Sequence, residues 1–531
     1  MAGGFDLRSE SWIPVRIGGV PRAVGLRELF HRAHEIEDVE VPVPPAASGL
    51  LRILAAMAAR IARVGGKRLD NAGLAEDIDE WFAVRDRILT QSRFDPAAVD
   101  AYFDNEVPAG HFDLFDPLRP FLQDPRLVTE CRDAAGEPNP SGVNKLVLGR
   151  PTGVNGAVLF GHFTDGAPVP VRAAEAAWHL IAQVYYGPSG QCTPRRITSV
   201  RTGSGDAGPL RKTVSFHVWA PDLYTSLVLG VPVPGDSADS DVEDRCPWED
   251  DELPKPLGPL PPLSSPGRLL TGRARHAVLL VPSADRRSVV DAYVTWSTHQ
   301  PAHAAPDPYV VLDMPKNGGG PPFARPADGR RAVWRDVDAL LLKDDPQSRR
   351  PLAFEDLPHR LLKDLRVRAY GFDQDGQQRD RGWFEATTPP VLRWQQDVDG
   401  AMALHVARCH RAAEDVGSRL EYAARLAWKL TTDPGEDPTA KVKLDSKRPG
   451  PWARQALVHF WPVAERAFWD LATPQRLDSP PYPPFVDAAL TALDAAMGSA
   501  RADVPGARAR SRARATIRSL VPQPPSVSPS R

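Results

Sequence analysis

Cysteine is scarce in this sequence: 531 residues include only Cys131, Cys192, Cys246 and Cys409. These positions are far apart and no two form a C-x-x-C pair. The spacing argues against a disulfide framework and against a zinc site built on cysteine. Such sparse, unpaired cysteines are typical of a protein in a reducing compartment, so we expect a cytoplasmic location.

Long apolar runs are also missing. The N-terminal stretch carries Asp6, Arg8 and Glu10 where a signal peptide would need an apolar core. The most apolar helical segment, 50–64, is interrupted by arginines, whereas a membrane-spanning helix needs about 20 mostly apolar residues. The sequence therefore predicts neither export nor association with a membrane.

An excess of charge of one sign is absent, because 65 basic and 67 acidic residues leave a net charge of −2. Binding to nucleic acid would therefore depend on a local basic patch. The length exceeds what one hydrophobic core supports, and a prior of about 150 residues per domain suggests two to four domains. The 56 prolines indicate a body rich in loops.

Several catalytic motifs are incomplete or missing. Gly203 and Gly208 have the G-x4-G spacing of a phosphate-binding loop, but Pro209 and Leu210 follow where that loop needs Lys and Ser or Thr. There is no G-x-S-x-G motif, and the carboxylates do not cluster as a two-metal nuclease requires. A binding protein without catalytic residues is favoured over an enzyme.

Two histidine pairs keep an alternative open. His31 with His34, and His299 with His303, could each contribute two metal ligands. A pair alone does not make a metal site, so we expect no metal and no cofactor. The alternative is a metal-dependent nuclease or another enzyme that uses one of these pairs.

The stretch 173–216 combines a helix, glycines and cations. Apolar residues recur at helical spacing from Ala173 to Val184, and a Gly-Pro pair then ends the helix. The helix is followed by Gly187, Pro188, Ser189, Gly190 and Gln191, and then by Arg195, Arg196, Arg201, Arg211 and Lys212. Glycine allows close approach of the backbone, and the arginines attract phosphate. This pattern predicts a nucleic-acid-binding loop, with an ordinary solvated surface loop as the alternative.

The remaining pattern predicts an α+β protein. The predicted elements are a hairpin and helix over 5–30, a helix over 48–64, helical segments in 76–103, a strand and short helix over 213–230, strands over 268–283 and 289–296, and a β-hairpin over 364–388. Four alanine- and arginine-rich helices are then predicted over 394–431, 451–472, 483–499 and 504–520. We therefore predict a large, irregular mixed α/β domain over 1–390 and a C-terminal four-helix bundle over 391–531 that ends in a disordered tail.

Motifs along the whole chain carry a family resemblance. Phe5-Asp6-Leu7, Ser11-Trp12-Ile13-Pro14-Val15 and Leu26-x-Glu28-Leu29-Phe30 open the chain, Pro120-Phe121-Leu122-Gln123 and Asn144-Lys145-Leu146 follow, and His459-Phe460-Trp461 stands near the end. In this order they resemble the CasA family, the large subunit of the type I-E CRISPR Cascade surveillance complex. The match is loose over 230–370.

The resemblance implies a function and a set of partners. It implies a non-catalytic subunit that recognises the protospacer-adjacent motif in double-stranded DNA, promotes strand separation and R-loop formation, and recruits a helicase-nuclease for antiviral defence. The implied partners are the other Cascade subunits, CRISPR RNA, target DNA and the helicase-nuclease. Some relatives carry a cysteine-bearing zinc insertion between the strands of 268–283 and 289–296, but this chain has no cysteine there.

The resemblance also assigns site residues. Val143, Asn144, Lys145 and Leu146 match the tip of a loop that reaches toward the 5′ handle of the guide RNA, within a predicted exposed loop over 137–156. The glycine loop Gly187–Gln191, with Arg195 and Arg196, matches the segment that contacts the motif duplex. The hairpin tip, consisting of Gln374, Asp375, Gly376, Gln377 and Gln378, matches a wedge that separates the DNA strands.

Overall fold

The computed structural model describes residues 4–64, 78–152, 161–233, 244–263, 265–303, 305–315, 319–375, 379–433, 442, 444, 449–498 and 503–521. The chain divides into two compact units, one formed by Met1–Ala332 with Pro346–Leu392 and the other by Val333–Asp345 with Arg393–Arg531. The second unit thus includes a short segment, 333–345, that lies within the predicted N-terminal domain 1–390. No helix in the described ranges is both long and apolar enough to cross a membrane.

Helices and strands alternate irregularly in the first unit. Its helices are α1 Leu26–His31, α2 Pro44–Ile61, α3 Ile78–Leu89, α4 Pro96–Ala101, α5 Leu127–Glu130, α6 Val143–Leu146, α7 Ala173–Tyr186, α8 Leu223–Gly230 and α9 Pro266–Thr271. Its strands are β1 Ile13–Ile17, β2 Val20–Val24, β3 Ile36–Val39, β4 Val171–Arg172, β5 Gly190–Ile197, β6 Val200–Gly205, β7 Val214–Trp219, β8 His276–Pro282, β9 Ser288–Trp296, β10 Leu312–Asp313, β11 Phe323–Ala324, β12 Ser348–Arg349, β13 Arg366–Gln374 and β14 Asp380–Thr387.

The strands of the first unit form small antiparallel sheets, one of which, β14-β13-β7, packs on the buried helix α2. The strand orders are β2-β1-β3, β14-β13-β7, β4-β9-β8, β11-β10-β12 and the two-stranded β5-β6. Helix α2 packs closely on α7 because Gly49 has no side chain: a Cβ there would lie 2.6 Å from Ile181 Cγ2. Arg52, also on α2, is fully buried and its Nη2 lies 2.9 Å from Asp307 Oδ1. A buried charge requires such a partner, so this pair fixes α2 in the core.

The second unit is helical, as predicted. It contains α10 Val337–Leu341, α11 Gly400–Thr432, α12 Trp452–Leu471, α13 Tyr482–Ala496 and α14 Val504–Arg518. Each of the four long helices buries an apolar stripe, which is the pattern that predicted the bundle. The 333–345 segment contributes Trp334, whose ring centroid lies 4.7 Å from that of Phe468 on α12.

Several predicted elements are confirmed, and one predicted strand is wrong. The N-terminal hairpin and helix, the strand and helix at 213–230, and the hairpin at 364–388 are present. The single strand predicted over 268–283 is instead α9 followed by β8. Pro266 begins α9 because its fixed φ suits the first helical turn, and buried Leu269 and Leu270 give that helix an apolar face. The mixed fold class and the helical C-terminal region are confirmed.

Candidate nucleic-acid interface

Helix α7 leads into the glycine loop, as the sequence predicts. The helix ends at Gly187, where a Cβ would lie 2.6 Å from the carbonyl oxygen of Gln183 and 2.6 Å from the ring of His276. No side chain fits there without movement of the backbone. Gly187 is itself buried, so its role is to let the chain leave the helix.

His276, the first residue of β8, holds the glycine loop through a hydrogen bond. Its Nε2 donates to the carbonyl oxygen of Pro188 at 3.0 Å. Burial lowers the pKa of His276 to about 4, because the charged ring would lose its hydration. The imidazole is therefore neutral near pH 7 and acts as a fixed hydrogen-bond donor. Sequence reasoning missed this residue, since a lone histidine on a strand carries no motif.

Gly190 is the part of the loop that a partner can approach. It is exposed, its φ of +105° is one that residues with side chains rarely adopt, and no atom lies within 4 Å of the position of a Cβ. Gln191 beside it is exposed too, and Pro188 and Ser189 are half-buried. The backbone at Gly190 therefore faces open space.

The basic run after the loop is a β-hairpin rather than a loop. Strands β5 and β6 pair, and Arg196 on β5 stands directly opposite Arg201 on β6. Both arginines are exposed, and no ion pair of either is found within the described residues. Like charges in direct cross-strand register destabilise a hairpin, and a phosphate between them would relieve that repulsion.

Arg195 is buried, which corrects the prediction that it is an exposed cation for nucleic acid. Its side chain is 0% exposed, its Nη2 lies 2.7 Å from Asp124 Oδ2, and its Nε lies 2.6 Å from Glu130 Oε2. Successive side chains of a strand point to opposite sides, so Arg195 enters the core while Arg196 faces solvent. In this conformation Arg195 is a structural residue.

The segment matched to the guide-RNA loop is also corrected. Val143, Asn144 and Leu146 are at most 1% exposed and form the short helix α6, so they are not at the tip of an exposed loop. The Nε2 of Gln183 on α7 donates to the carbonyl oxygens of Lys145 (2.9 Å) and Leu146 (2.8 Å), which holds this turn against the helix. Lys145 is half-buried. The last part of the predicted loop, 153–156, lies outside the described residues.

The wedge hairpin has its predicted strands, β13 and β14. Its tip residues Gly376, Gln377 and Gln378 lie outside the described residues. At the base, Gln374 Nε2 donates to Asp380 Oδ1 at 2.6 Å. Asp375 Oδ1 accepts from the backbone N–H of Arg379 at 2.9 Å, so this carboxylate shapes the turn.

All three matched segments meet near the C-terminal end of α7. Gln183 holds α6, and Tyr186 directly precedes the glycine loop. The base of the hairpin reaches the same place, because Arg211 contacts both the carbonyl oxygen of Tyr186 and the carboxylate of Asp380. The sequence places these segments far apart along the chain, so only the fold reveals the cluster.

The histidine pairs are not assembled into metal sites in the described part of the chain. No group of three or more His, Cys, Asp or Glu side chains there is placed to hold a metal ion. His31 Nε2 lies 3.1 Å from Asp100 Oδ1, and the ring of His299 packs on Trp296 with centroids 4.1 Å apart. Both of these histidines thus have a structural contact.

The arginines of α14 divide into two groups. Arg514 pairs with Asp494, and Arg510 donates to the carbonyl oxygen of Met497 at 3.2 Å, so both hold the bundle together. Arg508 and Arg518 are exposed. The basic surface of this helix is therefore smaller than its composition suggests.

Comparisons with known proteins identify the family of the chain. Residues 6–497 match the model of the CRISPR-associated protein Cse1 family. A CasA/Cse1 protein of Thermus thermophilus is 28% identical over 345 residues, which span 64% of this chain and 60% of that relative. The chain thus spans less than two thirds of the length of this curated relative.

Solved structures agree with this match. A chain of a CRISPR RNA-guided surveillance complex is 38% identical, with a TM-score of 0.83 over 97% of this chain and 99% of that one. Another, from such a complex in a pre-nicking state, is 38% identical with a TM-score of 0.76, covering 98% and 100%. Cse1 of Thermobifida fusca, at 19% identity and a TM-score of 0.71 over 98% of each chain, has the same fold. Since the family model covers most of the sequence, this protein belongs to the CRISPR-associated protein Cse1 family, also called CasA.

Proposed function

We propose that this chain is the non-catalytic large subunit of a type I-E CRISPR surveillance complex. In that role it recognises a short motif in double-stranded DNA, starts strand separation and R-loop formation, and recruits a helicase-nuclease. The observation that carries the proposal is the cluster at the end of α7, where the glycine loop, the base of the wedge hairpin and α6 meet. In such effectors the protein reads the short motif and the guide RNA reads the sequence.

The glycine loop and the β5-β6 hairpin are the proposed contacts to the motif duplex. Exposed backbone at Gly190 can enter the minor groove, where the readout is degenerate and related motifs can be accepted. The adjacent pair Arg196 and Arg201 suits the phosphate backbone, which such contacts use to fix register. Gln191 lies between these two features and is exposed.

The β13-β14 hairpin is the proposed wedge. Amide side chains at its tip, including Gln377 and Gln378, can both donate to and accept from exposed base edges without a charge to desolvate. Unstacking one step costs a few kcal/mol, so a wedge that offsets part of this cost speeds formation of the guide-target heteroduplex. Gln374 and Asp375 then serve the base of the turn.

The α6 turn is the proposed support for the guide RNA and neighbouring subunits. Its buried residues Val143, Asn144 and Leu146 would position the chain on either side, and Lys145 would provide the charge. In this assignment α6 positions the residues that contact the guide RNA and is not itself the tip of the contacting loop.

The experiment is assembly and motif binding. The chain is co-expressed with the other Cascade subunits and a CRISPR RNA, and the purified complex is compared with one that lacks this chain. We expect stable incorporation and motif-dependent binding of duplex DNA only when the chain is present. A complex that never incorporates the chain, or whose motif preference does not change without it, contradicts the proposal.

The wedge is tested with DNA that is already open. The Gln374→Ala/Gln377→Ala double variant should lose strand opening on intact duplex and recover on duplex with a bubble beside the motif. Equal behaviour of variant and wild type on both substrates would make the hairpin an ordinary surface feature.

A further inference from the structure

Arg211 joins the glycine loop to the wedge hairpin through one guanidinium group. Its Nη1 donates to the carbonyl oxygen of Tyr186, the last residue before the loop, and its Nη2 lies 2.7 Å from Asp380 Oδ2. Asp380 is the first residue of β14, so it directly follows the hairpin turn. A single side chain therefore contacts the start of one DNA-contacting segment and the base of the other.

The guanidinium is held in a fixed orientation. The Arg211 side chain is 3% exposed and its charged group lies over the Phe372 ring, 4.6 Å from the centroid. Phe372 in turn stacks on Tyr186, with centroids 5.8 Å apart and ring planes 22° from parallel. A planar fork on a buried aromatic platform fixes the relative positions of its two acceptors, which a lysine ammonium would not do.

The backbone that carries Arg211 is fastened to the loop as well. The Gly208 N–H donates to the carbonyl oxygen of Gly187 at 2.9 Å, and the Leu210 N–H donates to that of Tyr185 at 3.0 Å. A Cβ at Gly208 would lie 2.6 Å from the Tyr185 oxygen, so the two stretches of backbone pass in direct contact. The segment that carries Arg211 is therefore hydrogen-bonded directly to the backbone at the start of the loop.

Asp380, the acidic partner of Arg211, is also bonded to a residue at the hairpin turn. Its Oδ1 accepts from Gln374 Nε2 at 2.6 Å, and these two residues form the pair that closes the turn. The Asp380 side chain is 48% exposed, so solvent leaves room for its carboxylate to move. The continuous path runs from Tyr186 through Arg211 and Asp380 to Gln374.

We propose that Arg211 and Asp380 couple motif contact at the glycine loop to the position of the strand-separating hairpin. The inference rests on the proposed function and adds that the two steps share a coupling free energy carried by this ion pair. Both are positioning residues, because neither has to touch DNA. Loss of the pair should leave each segment present but remove the dependence of one on the other.

The test uses the assembled complex and a fluorescent base analogue beside the motif. In the Asp380→Asn variant we expect opening of intact motif-bearing duplex to fall about 3- to 30-fold, the range that coupling residues typically control. Binding to a duplex that is already open beside the motif should stay within about twofold of wild type, since that substrate needs no wedge. Asp380→Glu, which keeps the carboxylate, should recover part of the opening.

Glu385→Gln is the matched control. Glu385 lies on the same strand, is 34% exposed and pairs with Arg368 at 3.5 Å, and Arg368 has no contact with Tyr186 among those found in the described residues. This variant also removes an ion pair from β14, so a general loss of hairpin rigidity would affect it equally. We expect it to open DNA like wild type.

The outcomes separate the coupling from the proposed function. Wild-type opening by Asp380→Asn, or an equal loss on intact and pre-opened duplex, overturns the coupling. If wild type itself shows no motif-dependent opening, the proposed function fails instead. Should Asp380→Asn not fold, Arg211→Lys provides the same comparison, because it keeps the charge and loses the fork; a selective loss of opening supports the coupling, and unchanged opening overturns it.

Discussion

Arg195 and Arg196 are neighbours on β5 whose environments are opposite. Arg195 is buried between Asp124 and Glu130, whereas Arg196 is exposed and faces Arg201 across the hairpin. The charge of Arg195 is neutralised by carboxylates of the protein itself, whereas the charge of Arg196 is accessible to solvent and to a binding partner. At this scale, burial and not residue type decides whether an arginine can contact DNA.

The two arginines should respond differently to the same substitution. Arg195→Gln leaves half-buried Glu130 without its cation and buried Asp124 with Arg126 alone, and should lower the free energy of unfolding by about 3–5 kcal/mol. Arg196→Gln should change it by less than about 0.5 kcal/mol while weakening DNA binding by the complex. Urea denaturation and duplex binding measure the two effects. Equal stability losses would contradict the structural assignment of Arg195.

Helices and strands whose residues follow a local periodic pattern could be predicted from the sequence. Elements that are stabilised by contacts with residues distant in sequence could not. The amphipathic helices and β13-β14 follow from periodicity and turn residues. The β5-β6 hairpin does not, because its sequence is rich in Gly, Pro and Ser, and it is stabilised by bonds to β9 such as Trp296 Nε1 to the Thr202 carbonyl at 3.0 Å. The burial of α6 depends likewise on Gln183, 37 residues from Leu146.

Helix α11 carries a histidine that makes the stability of the second unit depend on pH. His410 Nδ1 lies 2.9 Å from Asp338 Oδ2, and its Nε2 lies 3.4 Å from Glu414, which also pairs with Arg335. The two carboxylates outweigh burial and raise the pKa of His410 to about 9.

Because the folded pKa lies above the unfolded value of about 6.5, the stabilisation is complete below pH 6.5 and is lost as the pH rises to 9. The loss should reach about 3 kcal/mol at most. Denaturation midpoints from pH 6 to 9.5 measure it, with His410→Gln as the variant in which this part of the pH dependence disappears. An identical profile for wild type and variant would contradict the account.

The whole molecule consists of two units that are not consecutive in sequence. Residues 333–345 belong to the helical unit, where Trp334 packs on Phe468. A chain cut at residue 390 would therefore expose apolar surface of the segment it keeps. Substitution of surface arginines tests the role of the helical unit without exposing this apolar surface, so it is preferable to truncation.

Arg508→Gln/Arg518→Gln should weaken binding of target DNA without loss of folding, if α14 tracks the nucleic-acid backbone. Each phosphate contact removed should reduce the slope of log affinity against log salt by about 1, so the double variant should lose up to about 2. The matched control is Arg514→Gln, which removes an intra-bundle pair and should lower stability. An unchanged salt slope would leave the exposed arginines as a solvated face.

The most direct test of the central claim is motif-dependent duplex binding by the assembled complex with Gly190→Arg. The control is Gly136→Arg, since Gly136 also has a positive φ (+84°) and no atom within 4 Å of a Cβ position. If the backbone at the end of α7 reads the motif, Gly190→Arg abolishes the preference for motif-bearing over motif-free duplex and Gly136→Arg retains it. An intact preference in a folded Gly190→Arg complex would contradict the account.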